Sequence, residues 1–314
     1  MIKNIFKLII LIILFIIFVI FYLSFFGIKT SKFNSLIKEQ VKKHNTQLNI
    51  ELYEVKILLN LKNISIQIKA ENPKLILNNS KNINLEEVTS NISLISYLSK
   101  KYSIKNLLVK TKSNKIQDYI AFYRLYDRSP QFILINQILK NGNGKLELNL
   151  NFNEEGKIEK NYKLNGKINS LVLKIPKYNI EGINFEFEVS KKKYDLKKIK
   201  FKFSDVEFES DDISITNRDR NLYIKGNLKN KKNKINTKLL KLLTPKNNLD
   251  NIDFTNSNIE SESKFSFQLT NKFKIKDFIA DSDLYLDNLL FKYKLNNLKN
   301  YVEDYNGNIN LKKN

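Results

Sequence analysis

The chain is 314 residues long, 42% hydrophobic and 27% charged, enough to bury a sizeable core as one large or two small domains. It contains no cysteine, which excludes a disulfide framework, a thiolate metal site and a cysteine nucleophile. The formal net charge is +22, yet only Arg124, Arg128, Arg218 and Arg220 of the 54 basic residues are arginine. Base reading and bidentate phosphate recognition use the planar guanidinium fork, so lysine spread over the whole chain reads first as a solvated surface. Attraction to anionic headgroups or nucleic acid is the competing reading of the same excess.

From Leu8 to Leu23 every residue is apolar, and Phe25, Phe26 and Ile28 extend the run past Ser24 and Gly27. At 1.5 Å rise per residue, about 21 residues span the hydrocarbon core of a bilayer, so Leu8 to Ile28 is expected as a membrane-spanning helix. The run is too long for a cleaved signal, and Phe21-Tyr22-Leu23-Ser24-Phe25-Phe26-Gly27 is too bulky for a small-x-small cleavage site. An uncleaved signal-anchor follows. Lys3 and Lys7 before it balance Lys29 and Lys32 after it, so charge leaves the orientation open.

Ser31 to Asn45 places Phe33, Leu36, Ile37 and Val41 at helical spacing with lysines opposite, which predicts an amphipathic helix at the membrane surface or capping a sheet. Beyond residue 46 the period becomes two. Ile57, Leu59 and Leu61 alternate, as do Ile64, Ile66 and Ile68, then Leu75 and Leu77. The pattern returns at Leu146, Leu148, Leu150 and Phe152, at Phe185, Phe187 and Val189, at Ile199, Phe201 and Phe203, and at Phe265, Phe267 and Leu269. These are strands with one apolar and one wet face.

Asn153-Glu154-Glu155-Gly156 lies between two alternating runs and predicts a tight hairpin loop; Asn141-Gly142-Asn143-Gly144 opens that hairpin. Ile158, Tyr162, Leu164 and Ile168 keep one parity through Gly166, which places that glycine inside a strand. Parity then switches to Leu171, Leu173 and Ile175, so a bulge is expected near Asn169 or Ser170. Helices are expected at Ile116 to Tyr126, from Ser129-Pro130 to about Leu139, and at Thr237 to Leu243 ahead of Pro245.

Catalytic chemistry is thin. His44, the single histidine, sits among lysines with no partner nearby in sequence, and no phosphate-cradling loop, metal-spaced cluster or nucleophile elbow is present. Adjacent carboxylates in a strand point apart, so neither Asp211-Asp212 nor Glu154-Glu155 makes a shared acid/base site. Asp281 and Asp283 share a strand face but have no third ligand in view, and the aromatics around Arg124 and Arg128 are those of an amphipathic helix. The expectation is a non-enzymatic protein without cofactor or metal, and without a nucleic-acid partner.

The anchor, the amphipathic helix and short phrases of the type Gly-x-φ-x-x-φ carry a resemblance. They read Gly166-Lys167-Ile168-Asn169-Ser170-Leu171, Gly182-Ile183-Asn184-Phe185, Gly226-Asn227-Leu228 and Asn306-Gly307-Asn308-Ile309-Asn310-Leu311, and Phe152 to Gly166 is the most family-like stretch. On these the chain resembles the AsmA-like family of bacterial envelope proteins (AsmA/TamB/YhdP type), as a truncated or short member. The resemblance implies a mainly β fold in which a long twisted antiparallel sheet curls into a gutter behind an N-terminal transmembrane helix, with a few short helices. It further implies a single-pass protein of the bacterial inner membrane, its β-region in the periplasm, carrying phospholipid along an apolar groove towards the outer membrane. A scaffold or chaperone for outer-membrane proteins and a lipopolysaccharide-bridge component are the alternatives.

The expected organisation is an anchor over 1–29, a juxtamembrane helix over 30–46 and a β-rich domain over 47–314 with a helical insert at about 116–140. The candidate groove lining is Ile57, Leu59, Leu61, Ile64, Ile66, Ile68, Leu146, Leu148, Leu150, Phe185, Phe187, Val189, Phe201 and Phe203. Alternation alone fits a closed sandwich core as well as an open groove.

Overall fold

A computed structural model describes the chain except residues 1, 79, 102, 127–129, 160, 176–177, 192, 219–220, 235–251, 254–256, 272–273, 288–289, 292–308 and 314. The fold is mainly β, with long antiparallel strands, few helices and one long apolar helix at the N-terminus. Two units divide it: residues 1–127 with 144–166, and residues 128–143 with 167–314.

In the first unit, helix α1 covers Ile2–Phe25, and Phe6–Phe25 is long and apolar enough to cross a membrane. The helix ends three residues earlier than the apolar run suggests. Gly27 turns the chain at φ 67°, and Ile28 opens strand β1 (Ile28–Thr30) instead of closing the helix. Helix α2 spans Asn34–His44, separated from the anchor by that strand. Strands β2 (Leu48–Glu51), β3 (Val55–Asn60), β4 (Ser65–Glu71), β5 (Lys74–Leu77) and β6 (Lys81–Ser93) follow. Helix α3 (Leu94–Leu98), capped by the Ser93 hydroxyl accepting from the Ser96 N–H at 3.2 Å, has no counterpart in the sequence reading. Strands β7 (Ile104–Thr111) and β8 (Asn114–Lys115) lead into helix α4 (Ile116–Tyr123).

The main ladder of this unit runs β1, β3, β4, β6, β7 and β9 (Leu139–Asn151), all antiparallel. The early half of β6 pairs instead with β5, and β5 with β2. A compact core forms where these two layers and α4 meet: Ile50, Val55, Ala70, Leu77, Ile83, Leu85, Ile116 and Ile120 are buried, Val55 at 0% exposure. Thr111 and Tyr119 share a hydrogen bond of 2.6 Å at its rim; the Tyr119 hydroxyl also lies 3.0 Å from the Gly144 carbonyl, and the Leu146 N–H donates to Thr111 Oγ1 at 2.8 Å. That pins α4 to the sheet.

In the second unit, α5 (Pro130–Ile138) precedes the opening of β9. The strands are β10 (Lys163–Ile175), β11 (Tyr178–Ser190), β12 (Lys193–Phe203), β13 (Val206–Arg218), β14 (Asn221–Lys234), β15 (Ile252–Asp253), β16 (Asn258–Leu269), β17 (Ile275–Asp287), β18 (Leu290–Phe291) and β19 (Ile309–Lys313). From β11 to β14, then β16, β17 and β19, each strand pairs antiparallel with the next; β10 lies beside β9 and β11, and β15 pairs with β18. Most of these strands run 11 to 14 residues, about 36 to 46 Å at 3.3 Å per residue.

The hairpin loop at Asn153 to Gly156 forms as expected: Asn153 Oδ1 accepts from the N–H groups of Glu155 (3.0 Å) and Lys157 (2.9 Å), and Gly156 takes φ 78°. Asn141 and Gly142, read as the opening of the hairpin, lie inside β9 at φ 57° and 83°. Ser170 is at φ 54° with Ile168 and Leu171, of opposite parity, both buried. This is the anticipated bulge. It belongs to a line crossing the sheet. A Cβ on Gly142 would meet the Leu171 backbone at 2.9 Å, the Ser170 N–H donates to Asn184 Oδ1 at 3.0 Å, and the β11–β12 register shifts on either side of Asn184, with Lys198 at φ 53°. The β13–β14 register shifts between Glu209 and Ile213, where the Asp211 N–H donates to Asn227 Oδ1 at 3.1 Å. The expected helix at Thr237 to Leu243 and the phrase from Asn306 to Asn308 lie outside the described residues.

Candidate functional site

Strand register sorts the apolar residues into rows perpendicular to the strands. In the first unit, Val55, Ala70, Val88, Val109 and Leu148 stand opposite one another in turn. Beside them run Ile57, Ile68, Ser90, Leu107 and Leu150, and then Leu59, Ile66, Ile92 and Ile104. Ile28 of β1 stands opposite Ile57, extending the middle row to the end of α1. Cross-strand apolar neighbours of this kind contribute roughly 0.2–1 kcal/mol per pair.

The reverse face is mainly polar, with Leu58 opposite Gln67 and Leu108 opposite Thr89 and Asn149 as apolar members. Gln67 donates to Asn91 (3.2 Å), Asn106 donates to Asn151 (2.9 Å) and to Asn149, and Lys69 bridges Glu87 (3.1 Å) and Glu71 (3.3 Å). The hydrogen bond with Glu87 is the leading influence holding the Lys69 ammonium above its usual range.

The second unit repeats the scheme. One row is Val189, Tyr194, Ile215, Ile224 and Phe267; the next is Phe187, Leu196, Ile213, Gly226, Phe265 and Ala280. On the far side of the bulges, Phe201 stands opposite Phe208 with ring centroids 5.4 Å apart, and Phe203 stands opposite both Ile180 and Val206. The other face carries directly opposed ion pairs, Lys200 with Glu209 and Lys202 with Glu207, each at 3.0 Å. Part of the lysine excess is thereby structural.

Of the fourteen candidate lining residues, twelve lie in strands and are half-buried. Ile57, Leu59, Ile66, Ile68, Leu148 and Leu150 join the rows of the first unit, and Leu146 continues the parity of Leu148 towards Thr111. Phe187 and Val189 join the rows of the second unit; Phe185 is next to Phe187 on the same face at 6.1 Å between centroids; Phe201 and Phe203 lie across the bulge line. Leu61 and Ile64 are different. They occupy the β3–β4 turn, each 53% exposed, with Ile64 at φ 45°. Sequence reasoning missed Val88, Ile92, Leu107, Val109, Ile213, Ile215 and Ile224, which complete the rows.

The first row is closed at its Val55 and Ala70 end, where it joins the core of the first unit; the other strand members of the rows in both units are not fully buried, so the rows remain open there among the described residues. Two surface hollows, of about 580 and 650 Å³, have mixed linings: Asp195 and Lys225 with Ile224, Phe267 and Ile279 in the second unit, and Lys29 and Lys56 with Tyr53 in the first. Among the described residues no three acidic or histidine side chains gather as a metal site. Comparison with protein-family models, with curated proteins and with solved structures finds no match.

Proposed function

We propose that this protein is a membrane-anchored, non-enzymatic carrier of phospholipid acyl chains in a bacterial envelope, held by α1 in the inner membrane with its sheets in the periplasm. The observation that carries this reading is the set of largely apolar rows, with Ser90 and Gly226 among their members, left half-exposed in both units outside Val55 and Ala70 and backed by a mainly polar, ion-paired face. Apolar area facing water costs about 25 cal/mol per Å², so an extended face of this kind favours an apolar occupant. The rows begin beside the end of α1, at Ile28 and Ile57, where acyl chains are already at hand. Chains lying along the rows need no catalytic group and no fixed polar contact. AsmA-like proteins, which the sequence resembles, act on this type of cargo.

The test uses paired photo-crosslinkers in the full chain in membranes. A benzophenone side chain at Ile66 or Phe187 yields lipid adducts, whereas one at the adjacent residue, Gln67 or Glu188, on the opposite face, does not. Lipid adducts absent from all four positions sink the reading. Polypeptide adducts at Ile66 and Phe187 favour a scaffold for other envelope proteins instead. That second reading draws on the outer edge of β17: Ile275, Phe278 and Ile279 are exposed there, and among the described residues β19 pairs only with Ser282 to Leu286.

A further inference from the structure

Because Ile28 of β1 pairs with Ile57 of β3 and the two strands are antiparallel, β3 runs from that contact back towards the helix that precedes β1. Helix α1 packs on β3, and its half-buried residues are Val19, Ile20, Leu23 and Ser24, the last two turns. From Ile57 to Asn60 the strand advances about 10 Å in that direction. It ends in the turn Leu61 to Ile64, level with the apolar body of α1.

Exposed apolar side chains gather at this end of the first sheet, among the lysines Lys62, Lys100 and Lys101 and the Lys101–Glu154 ion pair (2.7 Å). Ser65 pairs with Ser93, so α3 begins beside the same turn, and the Leu94 N–H donates to the Ile64 carbonyl at 3.2 Å. Leu98 is 80% exposed, and Ile95 and Tyr97 are exposed with it. Ile104 stands opposite Ile92, and the Phe152 N–H donates to the Lys105 carbonyl at 3.0 Å, which brings the loop after β9, with exposed Ile158, to the same edge. Six large apolar side chains, Leu61, Ile64, Ile95, Tyr97, Leu98 and Ile158, are exposed on three separate connections and interleaved with lysines, the mixed composition of a rim that enters the apolar–headgroup interface of a membrane.

We infer that this end of the first unit, the β3–β4 turn together with α3, is seated in the headgroup and upper acyl region of the bilayer that holds α1. The occupant is the membrane itself, because the helix that crosses it packs on the strand that forms the rim. The sequence left α2 either at the membrane surface or capping a sheet. Its place is the other end: Asn34 Nδ2 donates to the carbonyls of Leu52 (3.2 Å) and Tyr53 (2.8 Å), ahead of Val55, about 17 Å of strand away from Asn60.

The inference rests on α1 lying in a bilayer, which belongs to the proposed function. The absence of native cysteine and tryptophan makes the test direct. Single nitroxide labels at Phe15, Leu61, Leu98 and Tyr53 are placed in the full chain, reconstituted in vesicles of phosphatidylethanolamine and phosphatidylglycerol, and their collision with oxygen and with a water-soluble nickel chelate is compared. Labels at Phe15, Leu61 and Leu98 are expected to show several-fold higher oxygen access and lower nickel access than the label at Tyr53. Immersion at Phe15 with aqueous values at Leu61 and Leu98 overturns the rim and leaves the anchor standing. Aqueous values at Phe15 overturn both. As a second reporter, L98W is expected to emit blue-shifted fluorescence quenched by brominated lipid, against unquenched Y53W; equal quenching of the two also overturns the rim.

Discussion

Replacing Gly27 by alanine is expected to damage the joint between α1 and the first sheet, by an amount the geometry specifies. At φ 67° an alanine carries the left-handed penalty of about 1–2 kcal/mol. Its Cβ would also lie 2.5 Å from the Ile57 carbonyl oxygen and 2.9 Å from the Leu58 side chain, and the carbonyl belongs to the β1–β3 ladder. Relieving that collision by moving β1 weakens the ladder, at a further cost of order 1–2 kcal/mol. The sum of about 3 kcal/mol corresponds to a Tm lower by roughly 6–12 °C for a unit of this size. Gly182→Ala is the matched control, since φ is 60° but no atom lies within 4 Å of the added Cβ; it is expected to lose only the conformational part. Thermal unfolding of both variants in the same detergent decides the matter. Equal losses, or an unchanged G27A, refute the claim that the collision adds to the backbone angle in dictating glycine here.

Thr111→Val removes the oxygen that accepts from the Leu146 N–H and bonds Tyr119; the stranded N–H makes a loss of about 1–3 kcal/mol in denaturant unfolding the expected result, and Tyr119→Phe should add little once Thr111 is gone. Asn184→Ala leaves the Ser170 N–H without its side-chain acceptor, so amide hydrogen exchange at Ser170 should accelerate while that of Val206, outside the bulge line, stays unchanged. Lys101 holds the Glu154 carboxyl below its usual range, Lys198 does the same for Glu186, Lys200 for Glu209 and Lys229 for Asp211. A folded-state pKa below the unfolded one contributes stability above the unfolded value that disappears as pH falls through the folded one. Stability should therefore be level above the ordinary carboxylate value of 4.5 and decline in acid below it, and the decline should shrink in high salt, because these carboxylates are solvent-screened. An acid profile insensitive to salt would contradict this.

Period-two alternation made β3, β4, β9, β11, β12 and β16 legible, because in each a single parity is apolar over at least three positions. The strands β6 and β13, whose apolar positions a bulge splits into two short sets of opposite parity, were not legible. In β6 the apolar positions are Ile83 and Leu85, then Val88 and Ile92, with the register shift between Leu85 and Glu87; in β13 they are Val206 and Phe208, then Ile213 and Ile215, with Asp211 and Asp212 between. One inserted residue inverts the parity, and the alternation cancels when read as one strand. The apolar rows were legible in part for the same reason: side chains on a clean strand announce their face, but a row crosses five strands, and its membership follows from register. Strand β1 was hidden because its first residue, Ile28, closes an apolar run whose hydropathy says nothing of where the helix stops. Helix α3 left one usable sign, Ser93 ahead of Leu94-Ile95-Ser96, the pattern of an N-cap.

The line of bulges through Gly142, Ser170, Asn184, Lys198 and Asp211 bears on how such a protein changes over generations. In a plain ladder of alternating residues, slipping by two positions preserves every face, so a long repetitive sheet has many near-equivalent alignments. Bulges at adjacent positions interlock like the wards of a key, and each strand then accepts one alignment of its neighbour. Since each interlock involves only the strand and its immediate partner, a duplicated hairpin carrying its own bulge would find its place without disturbing those on either side. Sheet length thereby becomes a quantity that gene duplication can adjust in steps of two strands, with the apolar rows lengthening in register each time.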